Sequence, residues 1–352
     1  MARELLIGTY TETLPHVDGH AEGVLSASFD GTAVSDVAVA ARVTNPSWVA
    51  VAPGDAAGSV SVYAVSETEP DGRVVAFARA ADGALTELGS ASSGGASPAH
   101  LVVHPERRLL VTGTYGSGTV SVYALGSDGS LGERTAFIQH EGRGPDPDRQ
   151  EGPHVHQLSI DPVTGDVVVV DLGLGEVRWY RLSDAGSLAL RPGATVVIGS
   201  AGPRHLAFHP DGAHALLVNE LDSSIDVLRR EGDRFVRVQS TTTRADGATG
   251  DNAPAAVCVT ASGTTVLASN RGDDTIAVFA FDPDDSRLTL VASVPVGGRS
   301  PRDLVIAPDG DRVLAACQDS DEVTVFAFDE PTRTLTPLGA SPVPTPVRLV
   351  FV

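Results

Sequence analysis

The chain has 352 residues, 42% of them hydrophobic and 20% charged, which excludes a disordered polypeptide and allows a sizeable core. Its formal net charge of −20 has the wrong sign for a nucleic-acid binder or for a partner of anionic membrane surfaces. All 25 basic residues are arginine, so mechanisms that need a lysine (Schiff bases, a pyridoxal-phosphate anchor, a P-loop) are excluded.

Three strands are expected first, over Glu4–Thr9, about 22–30 and 34–42. The opening Met1–Gly8 lacks the apolar core of a signal peptide, and no apolar run is long enough to span a membrane. The expectation is a soluble, cytoplasmic protein. From residue 46 a phrase recurs: a proline, a variable residue, then an apolar run that usually ends in proline. Its copies are PSWVAVAP (46–53), PAHLVVHP (98–105), PHVHQLSIDP (153–162), PRHLAFHP (203–210), PAAVCVTA (254–261), PRDLVIAP (301–308) and PVRLVFV (346–352). Their leading prolines are 45 to 55 residues apart.

A second phrase follows, with the period-2 alternation of a β-strand. Its copies are TVSVYAL (119–125), EVRWYRL (176–182), SIDVLRR (224–230), TIAVFAF (275–281) and EVTVFAF (322–328). Asp-Gly pairs at 128–129, 211–212 and 309–310 mark turns. Four short strands per unit of this length predict a β-propeller. The expected fold is all-β: one domain over 1–352, with seven four-stranded antiparallel blades. The last unit stops after one strand, so the N-terminal strands must complete it and close the ring. Cys258 and Cys317 lie in apolar runs and are expected as buried free thiols.

In such a ring, equivalent positions of the repeat face one another. Six residues before the final proline stand Ser47, Ala99, His156, Arg204, Ala255 and Arg302. A second slot, at the end of the next strand, holds Tyr115, Leu172, Glu220, Arg271 and Gln318. His156, Arg204, Glu220 and Arg271 therefore come from three consecutive blades at neighbouring positions. Two guanidiniums bind a carboxylate or phosphate, or stabilise an oxyanion. A carboxylate and an imidazole beside them can move protons. The alternative is an inter-blade ion pair between Glu220 and Arg271, with His156 and Arg204 as satisfied tunnel residues. Ring positions at a channel mouth bury little apolar area, so replacing Glu220 or Arg271 is expected to be mild for stability. His104 and His209 precede the closing proline and read as turn residues; His100 and His205 read as packing or orienting residues. Asp171, Asn219 and Asn270 share a slot that suits either calcium ligands or turn caps. No GxSxG nucleophile elbow occurs.

The chain resembles the seven-bladed propeller lactonase family, which includes bacterial 6-phosphogluconolactonases and the fungal carboxymuconate cyclase. The motifs that carry the resemblance are Ile7-Gly8-Thr9-Tyr10-Thr11, Asn45-Pro46-Ser47, GRGPDPDRQEGPHVHQ (142–157), GPRHLAFHP (202–210), Val218-Asn219-Glu220-Leu221 and Ser269-Asn270-Arg271. They run from residue 7 to the end of the chain. The turn at 54–59 departs from the family pattern. The resemblance implies an active-site quartet of His156, Arg204, Glu220 and Arg271, the four residues selected by the repeat. His154 stands beside His156 as a second candidate. Substrate contacts are expected from His154, His205, Arg302, Asn219 and Asn270, with Arg143 and Arg149 adding positive charge from the preceding loop. The implied activity is hydrolysis of a small anionic lactone without metal or cofactor. Glu220 or His156 would activate water, and Arg204 or Arg271 would hold the oxyanion. Alternatives are carboxymuconate cyclisation, a non-catalytic interaction platform and a calcium-dependent lactonase.

Overall fold

The computed structural model describes residues 2–54, 60–80 and 82–352, so most of the divergent turn at 54–59 lies outside the described residues. Seven antiparallel sheets, each built on a path of four strands, follow one another along the chain. Their innermost strands define blades one to seven: Val49–Pro53, Pro98–Val103, Val155–Ile160, Pro203–Phe208, Ala253–Val259, Pro301–Ile306 and Pro346–Phe351. In blade seven the innermost strand comes from the C-terminus. The next three, Arg3–Thr9, Val24–Phe29 and Val34–Ala41, come from the N-terminus. Leu5 pairs with Phe351 and Ile7 with Leu349, which joins the two chain ends as the truncated last repeat requires. In blade three the outermost strand is split into Leu188–Leu190 and Val196–Val197, because Pro192-Gly193 turns the chain between them.

The core lies between blades. Among the described residues, each pair of neighbouring blades shares an apolar cluster, so the ring is packed all the way round. Between blades four and five, for example, Leu216, Val218 and Val227 meet Val266, Ala268 and Phe279. The second strands are covered on both faces, and His214–Asn219 is buried throughout. Outer strands alternate buried and exposed residues, as one-sided sheet edges should. Cys317 is buried, Cys258 is partly buried, and both are free; burial pushes both thiols up to about 12.

Two local features position the site. First, the inner strands of blades two to six carry a register shift near their start. In blade three Val155 pairs with Asp171 and Gln157 with Val170, leaving His156 without a register partner. Ala99, Arg204 and Arg302 are the equivalent extra residues in blades two, four and six. A bulge turns its extra side chain away from the pleat, here toward the ring axis. Second, inner-strand side chains of different blades pack together across the channel, with Trp48 edge-on to His205 at 5.7 Å. The Trp48 ring lies against His100 at a tilt of 34° with centroids 3.8 Å apart, and the Arg348 guanidinium covers Trp48 at 4.0 Å. His104 and His209 cap turns as expected: each Nδ1 accepts backbone N–H groups, and each Nε2 reaches a glycine carbonyl of the next blade.

Candidate active site

Antiparallel pairing sets the start of each inner strand beside the end of the second strand. Pro203 pairs with Asn219, so Arg204 and Glu220 share one end of blade four. The residues that follow the second strands form a ring at that end: Tyr10, Glu67, Tyr115, Leu172, Glu220, Arg271 and Gln318. Five of them, Glu67, Tyr115, Glu220, Arg271 and Gln318, line a cavity of about 450 Å³ whose walls also include Arg149, His156 and Arg302. Beneath it is a compartment of about 20 Å³ bounded by Tyr10, Ser47, Trp48, Arg204 and His205. Glu67, Ala99, His156 and Arg302 border both spaces.

Glu220 is the electrostatic centre. Its Oε2 accepts from Arg204 Nε at 3.0 Å and from Arg271 Nη2 at 2.7 Å, and its Oε1 accepts from Arg149 Nη2 at 2.6 Å. Burial alone would raise its pKa, but Arg271, Arg204 and Arg149 together hold the carboxyl well below its usual range. Arg204, with a side chain 2% exposed, also donates to the Ala255 carbonyl, and Arg271 donates to that of Ala253. Glu220 is thus buried by three guanidiniums, not poised at an open channel rim. The ion pair between Glu220 and Arg271 that the sequence offered as the alternative reading is present, and Arg149 and Arg204 join it.

His156 is 8% exposed, and its Nδ1 has no hydrogen-bond partner among the described residues. Burial and then Arg204 hold its pKa well below the usual histidine value, so the ring is neutral. Its neighbour His205 packs edge-on against it at 5.1 Å and is neutral for the same reasons. Arg302 reaches Tyr10 Oη at 3.1 Å, and Tyr10 Oη donates to Glu67 Oε2 at 3.0 Å. Ser47 Oγ donates to the same oxygen. Burial raises the Glu67 pKa, although Arg302, Ser47 and Tyr10 pull the other way.

Of the sequence-predicted residues, the cavity and the compartment beneath bring together His156, Arg204, Glu220, Arg271, Arg302 and His205. His154, Asn219 and Asn270 line neither space. His154 stacks on the outer side of Tyr115, with centroids 4.5 Å apart, and bonds Glu151. Asn219 and Asn270 are fully buried and bonded to Ser224 and Thr243. Asp171 is likewise committed, to His140 and to the backbone of His154 and Leu174, so this slot serves turns. Arg149 enters the cavity wall from its loop. Glu67 and Tyr10 were missed, although they occupy the slot of Glu220 and Arg271. The second strand of blade seven is the N-terminal strand, outside the repeat count. In blade one, five residues separate Glu67 from the next strand at Arg73, against three after Glu220 and Arg271, which breaks the spacing.

The comparisons agree with this architecture. The family model described as "Lactonase, 7-bladed beta-propeller" matches residues 4–351. A protein named 6-phosphogluconolactonase from Bacillus subtilis (strain 168) is 32% identical over 302 residues, covering 83% of this chain and 81% of that protein. Among solved structures, a protein from Lactobacillus plantarum superposes with a TM-score of 0.91 at 30% identity, with all of both chains covered. The periplasmic gluconolactonase of Pseudomonas aeruginosa superposes with a TM-score of 0.89 at 29% identity, covering 100% of this chain and 99% of that one. With nearly its whole length matched by the family model and a full ring of seven blades, the chain belongs to the seven-bladed β-propeller lactonase family.

Proposed function

We propose that this protein hydrolyses an anionic sugar lactone, with 6-phosphogluconolactone as the leading substrate. The observation that carries the reading is the convergence of Arg149, Arg204, Arg271 and Arg302 on one end of the ring in a protein of net charge −20. The overall field repels anions, so a cluster of guanidiniums there has a local purpose. Glu220 offsets only part of that charge. A cavity of about 450 Å³ suits a single sugar phosphate.

The roles follow from depth. Arg149, 44% exposed, and Arg271 take the phosphate at the mouth. Arg302, bordering both spaces, faces the ester carbonyl and stabilises the oxyanion as it forms. Neutral His156 beside it offers a hydrogen bond to the ring oxygen that leaves. Glu220 holds Arg204 and Arg271 in place. A phosphate dianion does not cross a bilayer unaided, so this substrate carries with it a cytoplasmic setting and a place in sugar-phosphate oxidation. The names of relatives in the family support the same substrate class.

The test is a panel of 6-phosphogluconolactone, glucono-1,5-lactone and carboxymuconate, with the spontaneous reaction subtracted. The expected result is the highest kcat/KM on the phosphorylated lactone. Turnover of carboxymuconate alone would replace hydrolysis by cyclisation, and no turnover of any of the three would remove the enzymatic reading.

A further inference from the structure

The ring of second-strand ends carries two carboxylates on opposite walls: Glu220 from blade four and Glu67 from blade one. Their surroundings differ. Both oxygens of Glu220 are taken by arginines. Glu67 receives both its hydroxyl donors, from Tyr10 and Ser47, on Oε2. Its Oε1 carries no hydrogen bond among the described residues. Glu67 also borders both the large cavity and the compartment beneath it. That compartment, at about 20 Å³, has room for one water and polar groups on several sides, as an ordered water requires.

We propose that Glu67 is the general base of the reaction, accepting a proton from a single water held in the compartment beneath the substrate cavity. The assignment rests on the lactone-hydrolysis reading above. Three further features support it. Tyr10 is fully buried and burial holds its phenol protonated, so it donates to Oε2 and leaves Oε1 free for the water. The compartment sets Arg204, Arg302, His156 and His205 beside Glu67, and the cavity above adds His16, Tyr115, Arg149, Glu220, Arg271 and Asp319. The three imidazoles are held neutral, which leaves Glu67 as the anionic acceptor in the compartment. Burial raises the Glu67 pKa, so this carboxylate takes up a proton more readily than Glu220, which three guanidiniums hold well below the usual carboxylate value.

The step balances as follows. The water oxygen bonds to the lactone carbonyl carbon while one of its protons passes to Glu67 Oε1. The carbonyl oxygen becomes an oxyanion beside Arg302. Collapse breaks the bond from that carbon to the ring oxygen, and the proton on Glu67 goes to the departing alkoxide. The new carboxylic acid then ionises, releasing the second water proton to solvent. Tyr10 and Ser47 are positioning residues, since they act through Glu67.

The experiment compares wild type, Glu67→Gln and Tyr10→Phe on 6-phosphogluconolactone across pH, with thermal unfolding as a folding control. Wild type should lose kcat/KM as pH falls through the Glu67 pKa, because only the carboxylate accepts a proton. That acid limb should lie above the usual value for glutamate of about 4.3. Glu67→Gln should lower kcat by roughly 10²-fold or more, leave KM within a few-fold and abolish the limb. Tyr10→Phe removes a donor to the carboxylate, so the limb should move to higher pH; this variant serves if Glu67→Gln does not fold. Wild type active with Glu67→Gln unimpaired, or a limb unmoved in Tyr10→Phe, would overturn the base assignment and leave lactone hydrolysis standing. Wild type inactive on every lactone would overturn both.

Discussion

Replacing Glu220 by glutamine removes the one charge that Arg149, Arg204 and Arg271 share. The consequences can be ranked by exposure. Arg149 is 44% exposed and re-solvates, so its loss of a partner counts for little. Arg271 is 18% exposed and keeps the Ala253 carbonyl. Arg204 is 2% exposed and cannot reach water. It keeps the Ala255 carbonyl and the field of Glu67 but loses its ion pair. Breaking a buried pair in this way costs about 3–5 kcal/mol. Glutamine still offers one carbonyl oxygen to the arginines, so the lower end, about 3 kcal/mol, is expected. At about 2.1 cal/mol/K per residue, a chain of this length unfolds with an entropy near 0.7 kcal/mol/K, so Tm should fall by about 4 °C. Turnover should fall too, by roughly 10²-fold, because the guanidiniums that hold the substrate lose their common anchor. Scanning calorimetry and kcat on 6-phosphogluconolactone measure the two effects. The acid limb of kcat/KM should persist, since Glu67 is untouched. A Tm within a degree of wild type would refute the clamp, whatever happens to the rate.

His100, His156 and His205 are all held neutral, by burial first and then by neighbouring arginines. Unfolding frees them to take up protons below about pH 6.5, so stability should be full above that pH and fall beneath it by about 4 kcal/mol per pH unit until the folded-state pKa values are reached. Urea melts that are flat from pH 7 to pH 5 would contradict this. Arg149→Ala should raise KM for 6-phosphogluconolactone by tenfold or more and hardly alter it for glucono-1,5-lactone, with Tm unchanged; equal effects on both would mean that Arg149 does not hold the phosphate. Dialysis against EDTA should leave the rate intact, because Asp171 and Asn270 already spend their side-chain oxygens on neighbouring groups. A large loss restored by calcium would show otherwise.

Most of the fold was legible because a propeller repeats its grammar. Seven leading prolines predicted seven blades, and the short last unit predicted that PVRLVFV would pair with the strand around Leu5. The first slot was legible too, since His156, Arg204 and Arg302 interrupt a row of small residues. Its cause was not: each of these is the extra residue of a bulge, and a bulge depends on pairing across strands that a single chain of letters does not display. The second slot was read in five blades only. Glu67 and Tyr10 complete it, but a longer turn displaces one and ring closure displaces the other. His154 looked equivalent to His156 two residues on, yet only His156 sits in the bulge; His154 comes before the inner strand and stacks outside the cavity wall. Whether Glu220 is a clamp or a free base turns on which arginines reach it. Arg149 comes from a loop whose course no repeat predicts.

The central claim is hydrolysis of an anionic lactone, and proton release measures it most directly. Each lactone opened by water yields a carboxylic acid that ionises. A pH-stat trace at neutral pH, with 6-phosphogluconolactone added to catalytic amounts of protein, should show acid release well above the spontaneous rate. It should total one equivalent per lactone, and the same amount of Glu67→Gln should not reproduce the acceleration. A wild-type trace that overlays the protein-free control would contradict the account.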